Sequence, residues 1–97
     1  MAQFDVYRLA DGQLVVDLQT DLIGIEASRI VAPLREAARF TALPGLTPEV
    51  AFEGALWLVR VPEVQTVPQG ALSGPLGSLA AHKEPLKRAL DILINGI

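Results

Sequence analysis

The stretch "QFDVYRLADGQLVVDLQ", Gln3 to Gln19, decides the fold class. Phe4 and Val6 alternate with Asp5 and Tyr7, the period of two expected of a half-buried β-strand. Asp11-Gly12-Gln13 then supplies a turn, in which Gly12 can take positive φ. "LVVDLQ" returns as a second strand, with Leu14, Val16 and Leu18 on one face and Val15, Asp17 and Gln19 on the other. The two runs read as an antiparallel hairpin, and the alternation sends Asp17 to solvent.

The rest of the chain extends that sheet. "RIVAPL", Arg29 to Leu34, is β-rich, and Pro33, which has no N–H for a ladder, predicts an edge or a bulge. "REAARFTAL" has room for a helical turn or two before Pro44 to Pro48 stops it. "EVAF" and "ALWLVRV" flank Glu53-Gly54 as a second hairpin, and residues 62 to 77 read as extended segments and loops. In the final segment the period changes from 2 to 3.6. Leu86, Ala89, Leu90, Leu93 and Ile94 fall on one helical arc, with Arg88, Asp91 and Asn95 opposite and Ile92 off the core face. Pro85 suits the first turn of this helix. With Gly96 left-handed, the Ile97 N–H would reach the Ile92 carbonyl and the two side chains would touch. The expectation is one mostly-β domain over residues 1–97, a small antiparallel sheet with one C-terminal α-helix.

Composition excludes several function classes. Apolar residues make up 51% and charged residues 20% of 97, which suits a globule. Cys is absent, so thiolate metal sites and disulfides are not available, and a cytoplasmic location is expected. The opening "MAQFDVYRL" has no basic start followed by an apolar block, and no apolar run approaches the ~18 residues of a membrane span, so neither leader nor membrane partner is expected. The net charge of −3, with Lys and Arg scattered, argues against direct nucleic-acid binding.

The residues that could carry chemistry form no motif. Asp17, Asp21 and Glu26 cluster in sequence, but paired carboxylates need converging geometry. His82 is the single histidine, better suited to the helix start than to a metal. Ser28, Ser73 and Ser78 lack a G-x-S-x-G context, Trp57 reads as half-buried packing, and no glycine spacing makes a phosphate loop. The expectation is a protein without enzyme chemistry, cofactor or metal.

"QFDVYR", "LVVDLQTDLI", "RIVAPL", the strand around Trp57, Val67-Pro68 and the ending "GI" together resemble the CcdB family, the toxin half of a toxin–antitoxin pair. The resemblance runs in order over nearly the whole chain. It implies a small SH3-like barrel of the CcdB/MazF kind, a homodimer, a CcdA-like antitoxin partner and inhibition of DNA gyrase through its A subunit, a topoisomerase poison acting by binding. Carried over by position, the gyrase-facing residues are Thr20, Leu22, Asp91, Ile94, Asn95, Gly96 and Ile97. Relatives typically have Trp where this chain has Asn95, "WGI" against "NGI", and position 95 lies away from the core. The resemblance therefore implies a weakened or retargeted grip on gyrase.

Antitoxin contacts are expected at the exposed hairpin loop, Arg8, Asp11 and Gln13, and at Leu46 in the second loop. Two alternatives stand beside gyrase poisoning. One is a diverged homologue that only binds antitoxin. The other is a MazF-like endoribonuclease, for which Arg29, Arg35, Arg39 and His82 are the imaginable set.

Overall fold

The computed structural model describes residues 2–20 and 28–96. In chain order the elements are β1 (Asp5–Arg8), β2 (Leu14–Asp17), β3 (Ser28–Glu36), β4 (Glu49–Phe52), β5 (Ala55–Val59), β6 (Gln65–Pro68), β7 (Gly77–Ser78) and α1 (Lys83–Asn95). The strands form one curled antiparallel half-barrel in the order β4-β5-β3-β2-β1-β7, with β6 also paired to β3. The expected mostly-β sheet with one C-terminal helix is what the chain forms.

Both hairpins sit where the turn residues put them. β1 pairs with β2 through Val6 and Val16, and the Leu9 N–H donates to the Gln13 carbonyl at 2.8 Å across the turn. Between β4 and β5, Glu53 and Gly54 have φ of 52° and 78°. Positive φ at both central residues matches the right-handed twist of the flanking strands.

β3 is the long central strand, and it changes partner along one edge. Residues Ser28 to Val31 pair with β6, whereas Leu34 to Glu36 pair with β5. Pro33 was expected at an edge or bulge but is buried inside β3. It stands where β6 has ended and β5 begins, and its carbonyl accepts the Arg60 N–H at 2.9 Å. A missing ladder donor is tolerated at that changeover. The segment after β3 forms a turn rather than the anticipated helical turns, because β3 extends to Glu36 before the chain reverses.

Apolar residues cover the sheet on both faces. Phe4, Val6, Leu14, Val16, Ala32, Leu34, Val50 and Val59 pack with Leu86 and Ala89 of α1. Tyr7, Val15, Val31, Val67 and Leu72 form a second cluster. All four residues of β2 are therefore buried, including Asp17, and the expectation that Asp17 faces solvent is corrected. The alternation of β2 was real, but its second face is covered as well.

Along α1, Leu86 and Ala89 are sealed, Leu90 and Leu93 are half-buried, and Ile94 is 73% exposed. The apolar arc keeps its cover at Leu93 and loses it at Ile94, which stands at the surface. Gly96 ends the helix with φ 76°, and its N–H donates to the Ile92 carbonyl at 2.9 Å. This is the single-bond left-handed cap. Ile97, the expected partner of Ile92, lies outside the described residues; the Ile92 side chain approaches Gly45.

Candidate functional site

The end of α1 is the first candidate surface. Its inner side is held by the core, which leaves Asp91, Ile94, Asn95 and Gly96 exposed together on the last turn. An apolar side chain as exposed as Ile94 contributes little to the fold. Thr20, three residues past β2, is half-buried. Leu22 and Ile97 complete the expected gyrase-facing set and lie outside the described residues.

The residues expected to face an antitoxin are divided between two places. Arg8, Asp11 and Gln13 share the β1–β2 turn, where Asp11 Oδ1 accepts the Gln13 N–H at 2.9 Å and Arg8 Nη1 donates to the Gly12 carbonyl at 3.0 Å. Leu46 is half-buried in a loop braced by Thr47, whose Oγ1 accepts the Leu43 N–H at 2.7 Å. A Cβ at the neighbouring Gly45 would lie 2.9 Å from Ile92 Cδ1, so this loop packs on α1.

The four residues imagined for RNA cleavage are not assembled. Arg29 is buried and paired with Asp17, while His82 is half-buried at the start of α1. Of the four, only Arg35 and Arg39 line one cleft, of about 310 Å³, which Arg8, Gln13, Glu36, Phe40 and Trp57 also line. Sequence reading had not connected Arg8 with these two, because the turn and the end of β3 come together only when the sheet curls.

The Asp17–Arg29 pair was missed outright. Arg29 Nε and Nη2 meet Asp17 Oδ2 at 2.9 and 2.8 Å, Asp17 Oδ1 accepts the Gln19 N–H at 3.0 Å, and Arg29 Nη2 donates to the Gln19 carbonyl at 3.2 Å. A signal existed: "LVV" is apolar in both phases, which marks a strand covered on both faces. Asp17, in phase with Val15, then required an opposite charge. Asp21 and Glu26, grouped with Asp17 in sequence, lie outside the described residues. Trp57 is half-buried as expected, its indole N–H donating to the Phe52 carbonyl at 3.0 Å.

Among the described residues no group of three or more His, Cys, Asp or Glu side chains could hold a metal, and no helix is long and apolar enough to cross a membrane.

Residues 3–96 match the model of the CcdB family, "CcdB protein". No curated protein matches the chain in sequence. Among solved structures, an endoribonuclease in complex with its cognate antitoxin from mycobacterial species superposes with a TM-score of 0.81 at 14% identity, over 97% of this chain and 94% of that one. An Mtb toxin gives 0.71 at 20% identity, over 95% and 99%. Mycobacterium tuberculosis toxin MazF-mt6 gives 0.67 at 18% identity, over 94% of each chain. At these identities the likeness establishes the shared fold.

These neighbours correct the expectation that enzyme chemistry is absent, since endoribonucleases are built on the same fold. That expectation rested on contiguous motifs. A curled sheet gathers side chains from separate strands and needs no such motif for a cleavage site.

Proposed function

The chain belongs to the CcdB family, toxins of toxin–antitoxin systems, and from that premise we propose that the end of α1 is its target-gripping surface, directed at the DNA gyrase A subunit. The observation that carries this reading is Ile94, 73% exposed beside exposed Asp91, Asn95 and Gly96 on the outer side of a helix end whose inner side, at Leu93, packs on the core. Thr20, Leu22 and Ile97 belong to the same proposed surface by resemblance. Asn95 weakens it. A buried aromatic anchor commonly contributes ~2 kcal/mol or more to an interface, and each 1.4 kcal/mol is about a factor of ten in affinity. An amide cannot replace the stacking area of an indole.

The partners proposed with this reading are a second copy of the chain and a CcdA-like antitoxin, all in the cytoplasm. A partner antitoxin is supported by the mycobacterial neighbour, which was solved with its own. The β1–β2 turn offers Arg8, Asp11 and Gln13 to it, and Leu46 is a separate contact on the α1 side.

The test is expression of wild type and Asn95→Trp in a gyrase-sensitive bacterium, with purified protein assayed for trapped gyrase–DNA cleavage complexes. Killing and trapping are expected to be weak in wild type and strong in Asn95→Trp. Strong wild-type killing relieved by a gyrase resistance mutation would refute the weakened grip. Failure of both proteins to trap gyrase would refute the target.

A second reading, RNA cleavage, is favoured by the fold shared with mycobacterial endoribonucleases and by the one cleft that Arg35 and Arg39 both line. Incubation of purified protein with total RNA separates the two readings. Fragmentation of the RNA by the purified protein, with no gyrase present, would displace the first.

A further inference from the structure

We infer that the cleft between the β1–β2 turn and the end of β3 is a phosphate-binding site, in which Arg8, Arg35 and Arg39 take the phosphate ester of a nucleotide or a single-stranded nucleic acid. The inference is independent of the end of α1. It rests on the cleft that the RNA-cleavage reading also uses and deepens that reading, but it needs no bond cleavage. A chain that binds octauridylate without cutting it would therefore support the site while refuting cleavage.

Among the described residues, three guanidinium groups line this cleft, with Glu36 as the one acid and Gln13 adding an amide. Their own bonds leave most of their donors uncommitted among the described residues. Arg8 gives one N–H to the Gly12 carbonyl. Arg39 reaches Glu36 at 3.4 Å, with both side chains more than half exposed, a contact that contributes little. Arg35 Nε is buried without a hydrogen-bond partner, and Arg35 Nη2 lies 3.5 Å from a Glu63 already held by Arg60 at 2.7 Å. An unmade bond at a buried charged donor is costly, and Arg35, its side chain about a third exposed where it lines the cleft, has terminal nitrogens held only by that long contact among the described residues.

Arg60 marks the contrast. It is committed to Glu63 and to the Thr41 carbonyl, and it does not line the cleft. Phe40 stands between Arg35 and Arg60, its centroid 5.7 and 5.9 Å from their guanidinium carbons, which steadies Arg35 before any ligand arrives.

The chemistry favours phosphate over a carboxylate-bearing peptide. A phosphodiester presents oxygens in several directions and can accept planar forks from more than one arginine. A disordered acidic peptide needs a long groove to offset its ordering entropy, whereas this cleft is about 310 Å³. Trp57 and Phe40 add flat walls beside the charges. Arg8 and Gln13 belong also to the proposed antitoxin surface, so an antitoxin seated there would compete with the phosphate ligand.

The experiment is fluorescence anisotropy of a labelled octauridylate with the purified chain at low salt, competed by AMP, inorganic phosphate and a Glu-rich peptide of equal charge. Binding is expected to weaken as salt rises. Arg8→Gln with Arg39→Gln, both exposed and with folding checked by circular dichroism, is expected to weaken binding at least about tenfold. Lys83→Gln, Lys87→Gln and Arg88→Gln together remove more charge from exposed positions on α1 and are expected to leave it within about twofold. Competition by AMP or inorganic phosphate assigns a free phosphate ester; octauridylate binding without such competition assigns a strand; either supports the site. Absent binding, an unaffected arginine double variant, an equal loss in the α1 variant, or equal competition by the Glu-rich peptide overturns it.

Discussion

Arg29 donates from Nε to Asp17 Oδ2 at 2.9 Å between neighbouring strands, with both side chains sealed from solvent. Removing one partner of such a pair leaves an uncompensated buried charge, which costs about 3–5 kcal/mol. Asp17→Ala and Arg29→Ala are each expected to lose about that much stability in urea titrations. Asp17→Leu combined with Arg29→Met is expected to recover most of it, because an apolar pair of similar volume has no desolvation cost. A double variant no more stable than the single ones would show that the pair is stabilised by more than mutual neutralisation.

Gly45 meets two constraints at once. Its φ is 78°, and an added Cβ would lie 2.9 Å from Ile92 Cδ1. Gly45→Ala is expected to destabilise by about 1–3 kcal/mol. In an Ile92→Ala background the steric part disappears, and about 1 kcal/mol from the left-handed backbone remains. Equal losses in both backgrounds, measured by thermal melting, would contradict the contact between this loop and α1.

The β4–β5 turn is occupied by a residue poorly suited to it. Glu53 has φ of 52°, and Gly54 follows at 78°. Asn tolerates that region better, and Asn-Gly is the preferred pair for this turn. Glu53→Asn is expected to raise stability by about 0.5–1 kcal/mol. A lower melting temperature for the variant would mean that the Glu53 side chain has a compensating role.

At the end of α1, substitution should affect binding and spare folding. Asn95 is exposed, so Asn95→Trp is expected to change stability by no more than about 0.5 kcal/mol. Its affinity for the gyrase A subunit, by surface plasmon resonance, is expected to rise about tenfold or more. A large loss of stability would show that position 95 matters to the fold.

The sequence by itself determined the elements that depend on neighbours in the chain. Asp11-Gly12 and Glu53-Gly54 place their hairpins because turn chemistry is local, and the 3.6 period from Leu86 to Leu93 places α1 for the same reason. The left-handed Gly96 was legible too, as was the outward position of Asn95.

Tertiary structure decided whatever depends on a partner distant in sequence. Asp17 reads as a solvent-facing residue until a second apolar layer and Arg29 close over its face. Pro33 reads as an edge residue until β3 exchanges β6 for β5 beside it. Ile94 lies on an apolar arc, yet the core beneath that arc reaches Leu93 and leaves Ile94 uncovered. Arg8 joins Arg35 and Arg39 only through the curl of the sheet, since no spacing along the chain encodes which strands become neighbours. Periodicity fixes the direction in which a side chain points, and only the packed fold fixes what waits there.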